Sequence, residues 1–489
     1  MRKLVKVPLL VFILAVNTIS TNGQDITSKL DSIVTCYETY KWNFVLLAGT
    51  KEGPFYKKAI GFRNVEEKVP MELNTLFKTE SVGKMFTAVR ILQLVEKGKL
   101  KLTETISQLL PNLTLANADS ITIHHLLNHT SGLSSHWEHP NYDPTKLYSL
   151  EEKIENTPIR FSPPGLRTYY SNTAYFILAA IIEKIDKMPF HQAIENYIFK
   201  PAGMLHTTYF KTRGLPSDAA LPYYQVSSTE FVRDDTSFLA NSDMGAGGWL
   251  SNAGDLYQFL QTYLKGRYLS KKMMQVQQSA NRTMADSIPG FRYGMMILQS
   301  LSKAVPVYGH NGGGRGYSVD MFFEPATGYI VVMCSNMWGT GYQITSQVFS
   351  QLLNKPITAK PQAQVTVRLV DAIRKKGTDA FIQNPEEIFE QAAVPKTEFV
   401  LLRTAESLIR LNDLSTAEVV LQVGHQLFPN SPDLLITNGN VAKKQGRTAV
   451  AAFYYITTKK FAAEKKAPHL VEEADALLKE LYKDRLSTK

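Results

Sequence analysis

Strand-like segments lie at both ends of the first 355 residues, and a mostly helical region separates them. Alternating or β-branched residues mark each segment, and a Gly-Pro turn divides the first two. Segments this far apart in the chain can bury one core together when they pair in a single sheet. The sequence therefore predicts an α/β or α+β layered domain. The predicted strands cover 42–49, 57–65, 305–309, 317–323 and 328–334.

Helical patterns surround these strands. One covers 26–40, a second covers 82–97 and stops at Gly98, and a third covers 343–353. Between 100 and 260, helical segments alternate with loops rich in proline and glycine. We therefore expect helices packed around the sheet.

The pattern changes after residue 355. Residues 356–364 contain two prolines and have the composition of a linker, and 365–489 is helical without any strand pattern. Within this helical tail, Ala417 and Ala451 recur 34 residues apart, as in tetratricopeptide helix pairs. A plain helical cap on the first domain is the alternative. We predict a first domain over 24–355 and a separate all-α, tetratricopeptide-like domain over 365–489.

The N-terminus has the pattern of an export signal. A positively charged segment, 1–6, precedes an apolar run, 7–16, and a small polar stretch, 20–23. The run is shorter than the ~20 residues that a transmembrane helix needs, so a retained anchor is the weaker interpretation. No other segment looks transmembrane. We predict a signal peptide over 1–23 and a periplasmic or secreted protein.

The charge pattern argues against nucleic-acid binding. The chain has 54 Lys and Arg against 44 Asp and Glu, a net charge of +10, but the basic residues are scattered among acidic ones. Scattered charge indicates a solvated surface, and net charge bears on solubility and association rather than on fold.

A metal site is also disfavoured. The two cysteines, Cys36 and Cys334, are too few for a cysteine-type zinc site. An oxidising compartment would permit them to pair, but we interpret them as two buried free thiols. His125 and His129 are four apart, as in a zinc protease helix, but Leu126 stands where that motif needs Glu. We therefore expect neither a metal nor a cofactor.

Ser81 and Lys84 are three residues apart at the start of a helical pattern, so both side chains project from one face. A serine hydroxyl is a weak nucleophile until a base removes its proton. A lysine can be that base when burial or nearby charge lowers its pKa. A second match, Ser300 and Lys303, has no following helical pattern, and we attribute it to chance.

Two further motifs can carry chemistry. Tyr170 and Asn172 precede a helical pattern, where a phenol can shuttle a proton and an amide can bind a substrate amide. The alternative is a turn with a helix cap. Residues 309–316 are glycine-rich between two predicted strands, which permits close backbone approach. A flexible hairpin is the alternative there, and a phosphate loop is disfavoured because no Gly-Lys-Ser/Thr follows.

These motifs follow the order and approximate spacing of the penicillin-recognising serine hydrolases. Over 27–355 the sequence resembles the family of class C β-lactamases, D-alanyl-D-alanine carboxypeptidases and related esterases. The resemblance implies a β-lactamase-like fold, with an antiparallel sheet flanked by helices and a helical subdomain. It also implies that the stretch around His129 is a structural turn. Other stretches similar to the family are 126–133, 161–165, 170–175, 201–204 and 247–251.

The resemblance implies a role for each matching residue. Ser81 would be the acylated nucleophile and Lys84 its proton acceptor. Tyr170 would protonate the leaving atom, and Asn172 would orient Lys84 and the substrate amide. No carboxylate dedicated to activating the deacylating water is identifiable.

In the third motif, His310, Gly312 and Gly313 match the family. The backbone N–H groups of Ser81 and Gly313 would form the oxyanion hole, which stabilises charge that develops in the transition state. His310 stands where true β-lactamases usually have lysine, and histidine is mostly neutral at pH 7. This difference favours peptides or esters over β-lactams.

Two functional hypotheses follow. The first is an exported acyl-serine hydrolase acting on a small-molecule or peptide substrate, with pocket walls drawn from 134–157 and 215–244. The second is an inert scaffold whose helical tail binds a protein partner. Four polar groups expected in one cleft favour the first hypothesis.

Overall fold

The structure is a computed structural model. It describes residues 14–135, 148–155, 157, 159, 163–210, 214–234, 244–279, 291–298, 301, 305–357 and 360–487. Several predicted features lie outside these residues: the start of the signal peptide (1–13), parts of the pocket walls (136–147 and 235–243), residues 161–162, Ser300, Lys303 and linker residues 358–359.

Among the described residues, seven strands form one antiparallel sheet in the order β10-β11-β12-β13-β14-β1-β2. Smaller sheets are β3-β4, β5-β9-β6 and β7-β8. The strands are β1 Phe44–Thr50, β2 Gly53–Ile60, β3 Phe62–Asn64, β4 Val69–Pro70, β5 Phe77–Lys78, β6 Thr208–Tyr209, β7 Tyr223–Gln225, β8 Phe231–Arg233, β9 Trp249–Ser251, β10 Phe291–Arg292, β11 Met295–Ile297, β12 Tyr308–Gly314, β13 Tyr317–Phe323 and β14 Tyr329–Ser335.

The early strand β1 pairs with the late strand β14, with Leu47 opposite Val332. Its other neighbour is β2. The prediction that distant segments share one sheet is therefore confirmed.

Alternate residues of β1 face two layers of helices. Val45 and Leu47 belong to the core that contains helices α2, α6 and α9, whereas Phe44, Leu46 and Ala48 pack with α1 and α11. Successive side chains of a strand point to opposite faces, so a strand that is apolar throughout needs both faces covered. The helices are α1 Leu14–Thr39, α2 Gly83–Glu96, α3 Ile106–Leu109, α4 Ile123–Leu127, α5 Leu150–Glu155, α6 Asn172–Asp186, α7 Phe190–Ile194, α8 Lys200–Ala202, α9 Ala253–Leu264, α10 Lys271–Gln278, α11 Gly341–Leu352, α12 Val365–Lys376, α13 Thr378–Gln383, α14 Pro385–Ala392, α15 Glu398–Arg410, α16 Leu414–Leu427, α17 Pro432–Lys444, α18 Thr448–Glu464 and α19 Pro468–Ser487, with a 3-10 helix at Glu80–Val82 and a π-helix at Glu195–Phe199.

The glycine-rich segment 309–316 was expected between two strands, and that prediction is wrong. Most of it forms β12, which pairs on one side with β11 and on the other with β13. Pairing with β13 along its whole length, and with β11 at Tyr308 and Gly309, keeps the segment extended although glycine has little intrinsic preference for strands. The predicted strand 305–309 therefore begins later and runs through the glycines.

Two smaller predictions also need correction. The segment 57–65 is not one strand, because Gly61, at a φ of +79°, separates β2 from β3.

The two cysteines were expected to be buried, and this holds for one of them. Cys36 is exposed on α1, whereas Cys334 is buried in β14, and both are free thiols. Cys36 lies off the helix face that packs on the sheet, and that face includes Ile33 and Tyr37.

The helical tail consists of α12 to α19; helices α12 to α14 pack together, α15 packs on α12, and the successive helices from α15 to α19 pack against one another. Ala417 and Ala451 are both fully buried in it, and the tetratricopeptide interpretation stays a prediction. The first domain contributes to the core of the tail, since Val226 and Val232 of the β7-β8 segment pack among helices α12 to α17. No helix in the described parts of the chain has the length and apolar character needed to cross a membrane.

Candidate active site

Ser81 lies at the junction between strand β5 and helix α2. The 3-10 helix Glu80–Val82 contains it, and Lys84 lies in the first turn of α2. Lys84 Nζ donates a hydrogen bond to Ser81 Oγ at 3.0 Å. The spacing of three residues thus places both groups within proton-transfer distance.

Lys84 is completely buried. Its Nζ also donates to Asn172 Oδ1 at 2.7 Å and to the backbone oxygen of Ala246 at 3.0 Å. Burial disfavours the charged form of an amine. When Lys84 is neutral, its two remaining N–H groups can satisfy Asn172 and Ala246, and its lone pair then faces the Ser81 hydroxyl.

Tyr170 approaches the same serine oxygen from a second direction. Its hydroxyl donates to Ser81 Oγ at 2.7 Å, and its ring centroid lies 4.7 Å from Lys84 Nζ. Asn172 is the first residue of α6, which Ser171 caps by accepting the N–H of Ala174. The Ser81 oxygen therefore has two neighbours with which it can exchange a proton.

Strand β12 lies against the 3-10 helix that carries Ser81. A Cβ at Gly312 would lie 2.2 Å from the backbone oxygen of Thr79, so only glycine fits this contact. Gly313 is exposed, and a Cβ there would meet no atom within 4 Å. The close contact at Gly312 holds the backbone of β12 beside the segment that carries the nucleophile.

His310 occupies the other end of the same strand. Its ring centroid lies 6.3 Å from that of Tyr170, and its Nδ1 donates to the backbone oxygen of Asn311 at 2.5 Å. Burial, reinforced by the charge of Lys84, lowers the pKa of His310 to about 3. The imidazole is therefore neutral at physiological pH, and its Nε2 carries a lone pair.

His129 is a site residue that the sequence argument did not select. Its Nδ1 accepts the backbone N–H of Ser171 at 3.1 Å, and its backbone oxygen accepts that of Tyr169 at 2.7 Å. Its ring also stacks on Tyr170. Burial first, then the charge of Lys84, lowers its pKa well below the ordinary range. The neutral ring must therefore carry its proton on Nε2, since Nδ1 is an acceptor.

Hydrogen bonds connect the predicted catalytic residues Ser81, Lys84 and Tyr170. The residues of the third motif, which lie on β12, border them. The structure adds two groups to that selection, the His129 ring and the Ala246 carbonyl. The stretches 126–133 and 247–251, which resemble the family in sequence, lie at or next to these two groups. Neither pattern indicates which atom faces the lysine or the tyrosine.

Comparisons with known proteins agree with this geometry. The chain matches the model of the family described as Beta-lactamase over residues 45–345. It is 31% identical over 314 residues to penicillin-binding protein 4* of Bacillus subtilis (strain 168), which covers 60% of this chain and 69% of that relative.

Solved structures show the same fold. A penicillin binding protein from Bacillus halodurans superposes with a TM-score of 0.56 and 26% identity, covering 66% of this chain and 98% of that one. A D-amino acid amidase from Ochrobactrum anthropi SV3 gives a TM-score of 0.58 at 21% identity, covering 68% of this chain and 99% of that one. The expected β-lactamase-like arrangement, with an antiparallel sheet flanked by helices and a helical C-terminal region, is confirmed.

Proposed function

We propose that this chain, which belongs to the beta-lactamase family of serine hydrolases, is an exported enzyme that forms an acyl intermediate on Ser81. The observation that carries the proposal is the pair of hydrogen bonds that the Ser81 oxygen accepts, one from Lys84 and one from Tyr170. A nucleophile within hydrogen-bond distance of its base, with that base held by further partners, is the arrangement that nucleophilic catalysis needs.

Acylation follows from these contacts. The uncharged fraction of Lys84 is the reactive form: it takes the hydroxyl proton as Ser81 Oγ forms its bond to the substrate carbonyl carbon. The backbone N–H groups of Ser81 and Gly313 stabilise the oxyanion. Tyr170 gives its proton to the leaving nitrogen or oxygen as that bond breaks, and Lys84 returns the first proton to Tyr170. The products are the acyl-enzyme and a neutral amine or alcohol.

Deacylation runs through the same groups. Tyr170 passes its phenolic proton to Lys84 and takes a proton from the water as the water oxygen attacks the ester carbonyl carbon. Lys84 then gives its extra proton to Ser81 Oγ as the ester bond breaks, which releases a carboxylic acid and restores both groups. Asn172 keeps Lys84 in place throughout, because its amide oxygen accepts from Nζ at 2.7 Å.

The neutral state of His310 supports a peptide amide or ester as substrate, rather than a β-lactam. A lysine at this position would offer a cation to a substrate carboxylate, whereas the His310 imidazole is uncharged. The substrate then binds without an ion pair at this end of β12.

Mass spectrometry of the intact protein tests the acyl-enzyme. The protein is incubated with an activated ester or a fluorescent penicillin, in parallel with the Ser81→Ala variant. We expect a mass gain in the wild type that the variant does not show. A folded wild-type protein that gains no mass with either probe would overturn the proposal.

Export is tested separately by expressing the full chain in a bacterial host and fractionating the cells. Removal of residues near 1–23 and recovery outside the cytoplasm are the expected results. A full-length chain retained in the cytoplasm or membrane would contradict export without affecting the catalytic proposal.

A second candidate function is protein binding by the helical tail. Exposed apolar side chains favour it, since Phe399 is 60% exposed, Phe453 64% and Ile456 56%. Exposed side chains of this size are common at protein interfaces. Substitution of all three by Ser, with retained esterase activity and loss of a co-purifying protein, would assign this role to the tail.

A further inference from the structure

A carboxylate lies immediately beside the nucleophile. Glu80 precedes Ser81 and adopts a left-handed backbone conformation, with a φ of +48°. Its side chain is only 16% exposed. A Cβ at Gly314 would lie 2.8 and 2.9 Å from the two carboxylate oxygens of Glu80, so the carboxylate rests against the far end of β12.

The direction of β12 shows on which side of the nucleophile this carboxylate lies. His310 is next to Tyr170, which delivers its proton to the leaving atom, so the His310 end of the strand is the leaving-group side. Gly314 comes four residues later, about 13 Å along an extended strand. The contact between Gly312 and the residue before Glu80 lies between these two ends. Glu80 is therefore on the side that receives the acyl group.

The ion pair with Lys78 leaves the hydrogen-bonding capacity of the Glu80 carboxylate partly unused. Lys78 Nζ lies 3.6 Å from Glu80 Oε1, which is longer than a hydrogen bond between charged groups. The negative charge of Glu80 also acts on a neighbouring phenol. The pKa of the buried Tyr317 is raised mainly by burial and also by Glu80. A carboxylate thus lies at the acyl end of β12 and the uncharged His310 at its leaving-group end.

We propose that Glu80 selects substrates whose acyl group carries a free, protonated amino group, such as an amino-acid amide, an amino-acid ester or the N-terminal residue of a peptide. This inference rests on the proposed function, because the acyl side is defined by catalysis at Ser81. An ammonium group supplies N–H donors to the Glu80 oxygens in charge-assisted hydrogen bonds. The leaving group needs no charge, so the enzyme acts at an amino terminus rather than a carboxyl terminus.

The test compares three acyl groups on one leaving group. Alanine p-nitroanilide, as both enantiomers, is assayed with a free amine, with an N-acetyl group and with an anionic N-succinyl group. We expect the wild type to prefer the free amine in kcat/KM. Glu80→Gln keeps the shape and removes the charge, and it should reduce the preference for free amine over N-acetyl at least about tenfold, as loss of a charged hydrogen bond implies.

Lys78→Met provides an opposite variant, because it removes the cation that competes with the substrate amine. The free-amine preference should rise in this variant. A wild-type preference for N-acetyl or N-succinyl substrates would overturn the inference, even if Glu80→Gln fails to fold. So would an unchanged preference in a Glu80→Gln protein that melts at the wild-type temperature.

Phenyl acetate separates this inference from the proposed function. If phenyl acetate acylates Ser81 and the alanine series shows no amine preference, only the role of Glu80 is overturned. If Ser81 takes up no acyl group from phenyl acetate, the proposed function fails and this inference fails with it.

Discussion

The imidazole of His129 stacks on the phenol ring of Tyr170, with 4.5 Å between the ring centroids and 28° between the ring planes. The same residue accepts the backbone N–H groups on either side of that tyrosine. Three consecutive residues are therefore fixed by one histidine. His129 itself adopts a left-handed conformation, with a φ of +61°, which histidine, asparagine and aspartate adopt more often than most other residue types.

Replacing His129 by Asn should lower kcat more than it raises KM. Asparagine tolerates the left-handed backbone but removes the ring that stacks on Tyr170, so the phenol is held less well in the transition state. We expect kcat to fall by about tenfold to a hundredfold, the cost of a small misplacement of a catalytic group. His125→Asn is the matched control, since His125 caps a helix through Thr122. Equal losses in both variants would indicate a structural role for His129.

Lys84→Met should abolish most of the activity. The variant retains a long apolar side chain but leaves the Ser81 hydroxyl without its base, so kcat/KM should fall by roughly a thousandfold. It also leaves Asn172 Oδ1 and the Ala246 carbonyl without this donor, at a cost of about 1–3 kcal/mol in the free energy of unfolding. Lys99→Met makes the same change at an exposed position. Steady-state hydrolysis of an aryl ester and urea unfolding measure both effects.

Gly312→Ala and Gly313→Ala should differ in stability although they are neighbours. The new Cβ at 312 would lie 2.2 Å from Thr79 O, so the backbone around the nucleophile must shift. The new Cβ at 313 would enter open space. We expect a loss of about 1–3 kcal/mol for Gly312→Ala, as for other overpacked sites, and a change within about 0.5 kcal/mol for Gly313→Ala. Similar melting temperatures for the two variants would contradict the close contact.

The free energy of unfolding should depend on His310 below neutral pH. Burial lowers the pKa of this histidine from 6.5 to about 3, so between these values the unfolded chain binds a proton that the folded chain does not. Stability is therefore complete above pH 6.5 and is lost as the pH falls toward 3, by up to about 1.4 kcal/mol per pH unit for one group. Urea unfolding from pH 7 to pH 4 should show a shallower slope for His310→Gln. Identical slopes would show that His310 is not buried in its neutral form.

Removing the helical tail should destabilise the first domain. Truncation after residue 364 would expose Val226, which is fully buried among the tail helices. A point variant tests the same contact in the full chain: Val226→Asp buries an unpaired charge and should cost at least about 3 kcal/mol. Val450→Asp, at a tail position that is 38% exposed, should change stability by less than about 0.5 kcal/mol. A truncated protein that melts at the temperature of the full chain would contradict this shared core.

The sequence was most informative where chemistry depends on local spacing. Ser81 and Lys84 meet because one helical turn separates them, and Asn172 follows Tyr170 at the start of a helix. The contacts of His129 depend on how a turn packs against a segment 40 residues away, which no local pattern encodes.

Strand β12 was difficult to predict for a different reason. Its glycines have low strand preference, and its extended form depends on pairing with β13 along the strand and with β11 at its start. The position of Glu80 could not be predicted from the sequence either, since a glutamate at the start of a helix is ordinarily solvated. In the structure its carboxylate lies against Gly314 of β12.

The pairing of β1 with β14 has a consequence for the timing of biosynthesis. Ser81, Lys84 and Tyr170 are all translated well before β12, and β1 lacks one of its two neighbours until residues 329–335 have been made. A nascent chain therefore contains the proposed nucleophile and base before the strand that would supply Gly313 to the proposed oxyanion hole. Pairing between such distant strands forms slowly, because the long loop between them must close first. Under the proposed mechanism, activity therefore requires that β12 to β14 have been made.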